Sequence, residues 1–328
     1  MAFPTLTRRR ALEGLALAAL PLPLSRAWAA PDSALTFLAV GDWGRDGADH
    51  QRDVADRMGE TASELGARFI VSVGDNFYED GVASVDDPAW KTSFEDVYTA
   101  PSLQVPWYAA LGNHDYHRNS QAQIDYSAKS HRWRMPARYF TVKQTTPDGA
   151  KVEIFVLDTS PFIKSYYADG AVKVKVAGQD TDAQLRWFEQ ALGESQADWK
   201  IVVGHHPVYS GGRPGASTVD DNKGESTPGG SPDLIAALDP ILQRHGVPLY
   251  LNGHDHDLQH VRRGLTDYVC TGAGSKTRKL CETEGSDFCS LESGFVACAV
   301  DRQHIRLAYR DYAGMELHVV DIDRSRVA

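Results

Sequence analysis

The chain has 328 residues and a formal net charge of −10 at pH 7, with 42% hydrophobic residues, enough for one large domain with an ample core. Beyond its first ten residues it has no basic run, which excludes nucleic acid as an expected partner and means that any anionic ligand must find its positive charge in a local centre. No internal repeat and no break in composition marks a second domain.

Residues 1–29 have the features of a signal peptide. Arg8-Arg9-Arg10 precedes an apolar run, Leu15 to Leu24, and then Ala27-Trp28-Ala29, which offers the small residues a signal peptidase wants. The run is shorter than the roughly 20 residues of a membrane helix and is broken by Pro21 and Pro23, so a membrane span is not expected. Thr7 to Leu12 is similar to a twin-arginine export signal, with Ala11 and Glu13 departing from the usual pattern. Cleavage after Ala29 leaves residues 30–328 as a single expected domain, takes the formal charge from −10 to −13, and places the protein in the periplasm or outside the cell.

From there the chain repeats one device five times. Leu35 to Val40 ends in Gly41-Asp42-Trp43-Gly44, Phe69 to Val73 in Gly74-Asp75-Asn76-Phe77-Tyr78, and Val105 to Leu111 in Gly112-Asn113-His114-Asp115. Trp199 to Val203 ends in Gly204-His205-His206-Pro207, and Val247 to Leu251 in Asn252-Gly253-His254-Asp255-His256-Asp257. Each strand-like run stops at a glycine followed by a carboxylate, amide or imidazole, as an α/β fold collects a site beyond the carboxyl ends of its strands. Imidazoles at i and i+2 in the last loop can converge on adjacent metal ions. Asp, Asn and His serving only as turn and cap residues is the plain alternative, and fivefold repetition argues against it.

Between these loops, Ala48 to Leu65, Pro88 to Tyr98 and Thr181 to Leu192 read as helices, the last with Leu185, Phe188 and Leu192 on one face. Tyr139 to Val142, Val152 to Leu157, Tyr268 to Thr271, Phe295 to Val300, His304 to Tyr309 and Glu316 to Val320 read as further strands. Gly211 to Pro232, rich in Gly, Ser, Thr and Pro, is either a lid near His205 and His206 or a solvated insertion. All four cysteines lie in the last sixty residues, and in an exported protein two disulfides are expected ahead of a zinc site; of the three possible pairings the preferred one joins Cys281 with Cys289, closing a loop, and Cys270 with Cys298 on neighbouring strands.

The order Asp42, Asp75 with Tyr78, Asn113-His114, His205, His254 and His256 resembles the small, tartrate-resistant type of purple acid phosphatase, within the calcineurin-like metallophosphoesterases. The resemblance covers about residues 35 to 320. Tyr78, three residues after Asp75, is the feature that separates it from metallophosphoesterases in general. It implies an α/β fold of two packed mixed sheets flanked by helices in four layers. It also implies a first ion held by Asp42, Asp75, Tyr78 and His256, and a second held by Asp75, Asn113, His205 and His254, with Asp75 bridging.

The residue chemistry is consistent with that implied arrangement. A tyrosine with an ordinary pKa near 10 becomes a ligand only to a highly charged acid such as Fe(III), while the imidazole, amide and carboxylate set suits a divalent ion, Fe, Zn or Mn. Such a pair retains about one positive charge after its ligands, clamps a phosphoryl group and generates hydroxide at low pH. His114 is the expected general acid for the leaving oxygen, Asp115 a candidate for orienting a ligand, and His206, where the family it resembles often has Tyr, a candidate for substrate binding. As ligands, neither His117 nor His206 is expected: both read as rim or packing residues. The expected activity is hydrolysis of phosphate monoesters by a monomer. The alternatives are a phosphodiesterase or pyrophosphatase on the same scaffold, and a metal-storing or phosphate-binding protein without catalysis, which would have no need of His114.

Overall fold

Buried apolar runs form the inner strands of two sheets, and their carboxyl ends define where the polar loops meet. The computed structural model describes residues 30–168, 174–211, 229–278 and 286–326. The leader, nearly all of the Gly211 to Pro232 segment, and Cys281 lie outside the described residues.

In chain order the strands are β1 Leu35–Val40, β2 Ile70–Ser72, β3 Trp107–Ala109, β4 Trp133–Arg134, β5 Phe140–Thr145, β6 Lys151–Val156 and β7 Trp199–Val203. Then come β8 Leu249–Asn252, β9 Leu258–Arg263, β10 Thr266–Thr271, β11 Phe288–Ser290, β12 Gly294–Val300, β13 His304–Asp311 and β14 Glu316–Asp323. They form two seven-stranded mixed sheets, ordered β14-β13-β12-β1-β2-β3-β4 and β11-β9-β10-β8-β7-β6-β5, with helices alongside. The expected fold class is the one observed. β1, β2 and β3 run parallel to one another in the first sheet, and β7 and β8 in the second, so five of the polar loops leave from like ends.

Every strand anticipated from periodicity is present, with ends shifted by a residue or a few. β4, β9 and β11 were not anticipated: two are short, and β9 alternates polar residues through a buried face. Helix α1, Gln51–Leu65, starts later than its apolar pattern because Asp46, Asp49 and His50 all take left-handed backbone, which no helical turn accepts. Helices α2, Ser120–Asp125, α4, Pro232–Ala237, and α5, Asp239–Arg244, are too short for a periodic signal. Helix α3, Thr181–Glu194, is capped by Asp180, whose carboxylate accepts from the Ala183 N–H at 2.8 Å. The expected helix over Pro88 to Tyr98 is only a wide-turned segment, Trp90–Glu95.

That segment supplies an aromatic block beneath the first loops. Trp43, fully buried, meets Phe77, Phe94, Tyr98, Trp107 and Trp133 at ring separations of 5.3 to 6.5 Å, and its indole N–H donates to Ser72 Oγ at 2.8 Å. Such packing pins the residue next to Asp42 to strand β2, so the loop that carries Asp42 is held by the core.

The expected Cys270–Cys298 disulfide does not form: both are free, buried thiols. Cys270 lies on β10, whose pairing partners are β8 and β9, whereas Cys298 lies on β12 between β1 and β13, so the two strands belong to different sheets and do not pair. The Cys270 thiol points instead at the carbonyls of Gly253 and Asp255, at 3.5 and 3.3 Å. The other expected pairing involves Cys281, outside the described residues.

Candidate metal centre

Asp42, Asp75 and Asn113 leave the first sheet, and His205, His254 and His256 leave the second; the six converge where the two sheets face each other. The turns that aim them are tight. Asp42, Asp75 and His254 have φ of 59°, 49° and 71°. Left-handed backbone at a non-glycine residue costs on the order of 1–3 kcal/mol and concentrates at functional sites.

The glycines of the repeated device are needed for closeness. A Cβ on Gly112 would lie 2.2 Å from Asp75 Oδ1, and one on Gly253 would lie 2.3 Å from Asp42 Oδ2. Each loop is thus packed hydrogen-to-oxygen against the ligand candidate of another loop.

Two groups of donors result. The Tyr78 hydroxyl is 2.9 Å from each of Asp42 Oδ1, Asp75 Oδ2 and His256 Nε2. Two carboxylate oxygens and an imidazole nitrogen thus gather round one phenolic oxygen, the crowding of donor atoms that a shared cation would use, while Arg278 also reaches the His256 nitrogen at 2.7 Å. In the second group, His205 Nε2 lies 3.1 Å from Asn113 Oδ1 and 3.4 Å from Asp75 Oδ1, and His254 Nδ1 lies 2.9 Å from the same amide oxygen. Asn113 Nδ2 is buried without a partner.

Backbone carbonyls set the tautomers. His205 Nδ1 donates to Val73 O at 3.0 Å and His256 Nδ1 to Lys276 O at 2.9 Å, which turns both Nε2 atoms inward. These are the outer contacts that metal-ligating histidines use, and the donor types fit the two ions expected. Candidate ligand atoms of Asp42, Asp75 and His205 lie within 4.8 Å of one another, as do those of His205, His206 and His254.

The electrostatics separate the members. Burial raises the Asp42 carboxyl to about 8, with Asp75 adding to the rise. Asp75 is buried too, yet His205 and His114 hold it well below the usual carboxylate range. Burial opposes charge on His205, but Asp75 and then Asp42 raise it to about 9. Burial keeps His254 and His256 well below the ordinary imidazole range, so their lone pairs stay available in acid. Tyr78 is pushed well above 10 by burial, Asp42 and Asp75, with Arg45 and Arg278 acting in the opposite direction.

His114 sits at the edge of the group. Its backbone N–H donates to Asp75 Oδ1 at 2.8 Å, its Nδ1 meets the Glu79 carbonyl, and its ring lies 4.5 Å from that of Tyr78. The Asp115 carboxylate gathers the N–H groups of Gly112 and Asn76 and the amide of Gln123, tying the third loop to the second. His117, buried, packs at 4.7 Å from His114 and turns its Nδ1 to the same Glu79 carbonyl. His206 is buried with both nitrogens engaged. Thr159 Oγ accepts the backbone N–H of His205 and His206, so its own proton goes to His206 Nδ1 at 2.9 Å, and His206 Nε2 donates to the Tyr166 hydroxyl at 2.9 Å. Its ring lies 4.5 Å from His254, in packing contact.

Two residues at the site were missed in the sequence. The Arg45 guanidinium lies 3.7 Å over the Tyr78 ring, and Arg278 places a terminal nitrogen 2.7 Å from His256 Nε2. A lone arginine in a loop gives no local signal. Only their arrival from separate loops makes a cationic flank.

Residues 35–258 match the family model of the calcineurin-like phosphoesterases. Purple acid phosphatase 4 of Arabidopsis thaliana is 35% identical over 306 residues, covering 90% of this chain and 85% of the relative. Human tartrate-resistant acid phosphatase type 5 is 37% identical over 275 residues, covering 80% of this chain and 78% of the relative. A solved structure described as GAP50, the anchor in the inner membrane complex of Plasmodium, shares the fold, with TM-score 0.74 at 24% identity and 89% of each chain covered. The fold and the matched residues define a metallophosphoesterase. Within that class the chain belongs to the purple acid phosphatases, which are phosphoric monoester hydrolases. Among the described residues no helix is long and apolar enough to cross a membrane.

Proposed function

We propose that the protein is an exported acid phosphatase with a binuclear centre: Fe(III) held by Asp42, Asp75, Tyr78 and His256, and a divalent Fe, Zn or Mn held by Asp75, Asn113, His205 and His254. The observation that carries this reading is the convergence of two carboxylates and an imidazole on the Tyr78 hydroxyl, each at 2.9 Å. Bound there, the two ions would supply Lewis acidity to a phosphoryl group and lower the pKa of the attacking water.

The chain's own residues do the rest. The Asn113 amide N–H is left to donate to a phosphoryl oxygen. His114, fixed through Nδ1 to the Glu79 carbonyl, holds on Nε2 the proton that the leaving oxygen takes. His206 acts indirectly, wedging His254 in place from its bonds to Thr159 and Tyr166. The substrates are phosphate monoesters, small or peptide-borne, taken by a monomer in the periplasm or outside the cell.

The test is spectroscopic. Iron-loaded protein should be pink to purple through charge transfer from the Tyr78 phenolate, and Tyr78→Phe should lose the band while keeping part of its activity. Wild-type protein that analysis shows to hold oxidised iron, yet is colourless, would refute the ligand role. The general acid is checked separately: His114→Ala should slow alkyl phosphates more than activated aryl phosphates, the full proton-transfer contribution being about 10²–10⁴. Equal losses on both substrates would reduce His114 to an orienting residue.

A further inference from the structure

We infer that Arg45 is a positioning residue that sets the electron-donating power of Tyr78, an inference that rests on the reading of Tyr78 as an iron ligand. Arg45 leaves the same loop as Asp42, and its side chain is only 10% exposed. Its guanidinium carbon lies 3.7 Å over the Tyr78 ring, the distance of a close cation–π contact. Two further contacts hold the plane there: Nε donates to Ser275 Oγ at 3.2 Å, and a terminal nitrogen to Glu79 Oε1 at 2.7 Å. Ser275 in turn donates to the Asp42 carbonyl at 2.5 Å, so the cation is braced against the backbone of another ligand candidate.

A guanidinium on the ring face stabilises the electrons that a phenolate would share with a metal, and it acts more on the ring it touches than on an ion beyond the ring's oxygen. A weaker donor leaves that ion a stronger Lewis acid. Glu79 works against this, since its carboxylate neutralises part of the guanidinium charge from an exposed position, 69% accessible. Arg45 and Glu79 therefore form an opposed pair with Tyr78 as the reporter.

The experiment is absorbance of the full-length, iron-loaded protein, with metal content measured in each sample. Arg45→Gln should move the charge-transfer band to longer wavelength, because the donor electrons are no longer held down, and Arg45→Lys should restore part of the shift. Glu79→Gln, a change at an exposed side chain that the fold should tolerate, should move the band the opposite way. If Arg45→Gln does not fold, the sign of the Glu79→Gln shift decides alone. Coloured protein whose band stays put in Glu79→Gln, or moves to longer wavelength, overturns the role of Arg45 and leaves Tyr78 as a ligand. A colourless, iron-containing wild type removes both.

Discussion

Asp75→Asn should abolish phosphatase activity and remove metal from both positions, while the protein stays folded. The Asp75 side chain touches members of both donor groups. Its carboxylate accepts from the His114 N–H at 2.8 Å, lies 2.9 Å from the Tyr78 hydroxyl and 3.4 Å from His205 Nε2, and so reaches both donor groups. It is also the carboxylate that His205 and His114 keep ionised against burial, whereas Asp42 titrates near 8. An amide of the same shape preserves the packing, but it turns one acceptor into an N–H donor and removes the charge that would bridge two cations. Metal analysis beside circular dichroism checks the result. A folded Asp75→Asn variant with two equivalents of metal and wild-type turnover would rule out the bridging role.

Gly112→Ala is expected to cost about as much stability as a severe overpacking change, about 3 kcal/mol, and to disable the site at the same time. The added Cβ would meet Asp75 Oδ1 at 2.2 Å and the Asp75 backbone nitrogen at 2.3 Å, and neither can move independently. The carboxylate is held by three loops, and the nitrogen belongs to a turn that already has a left-handed backbone at φ 49°. A loss of several degrees in Tm, with metal content falling in parallel, is the expected reading. By contrast Gly66→Ala, at the end of α1, meets nothing within 4 Å and pays only for its positive φ, so it should keep its metal.

What the sequence made legible was the part written locally. A buried run, a glycine and a polar residue lie within ten positions of one another, so each of the five loops announces itself. What it hid was relation. Arg45 and Arg278 act at one site only because the loops after β1 and β10 fold together. Cys270 and Cys298, 28 positions apart, were expected on neighbouring strands, yet those strands belong to different sheets, and spacing carries no record of strand order. His206 was legible only as a neighbour of His205; that its two nitrogens meet Thr159 and Tyr166 while its ring packs on His254 is set by the fold.

Three loops of the centre belong to one sheet and two to the other, and the Gly253 turn of the second sheet leaves no atom's width before Asp42 of the first. Any ion held there stitches the seam between the sheets. Affinity for metal and cohesion of the whole molecule then become one thermodynamic quantity, since a ligand that binds only the joined form stabilises it by RT ln(1 + [L]/Kd). The protein cannot loosen its grip on metal without loosening its own halves. Catalytic readiness and resistance to unfolding are therefore expected to be selected together.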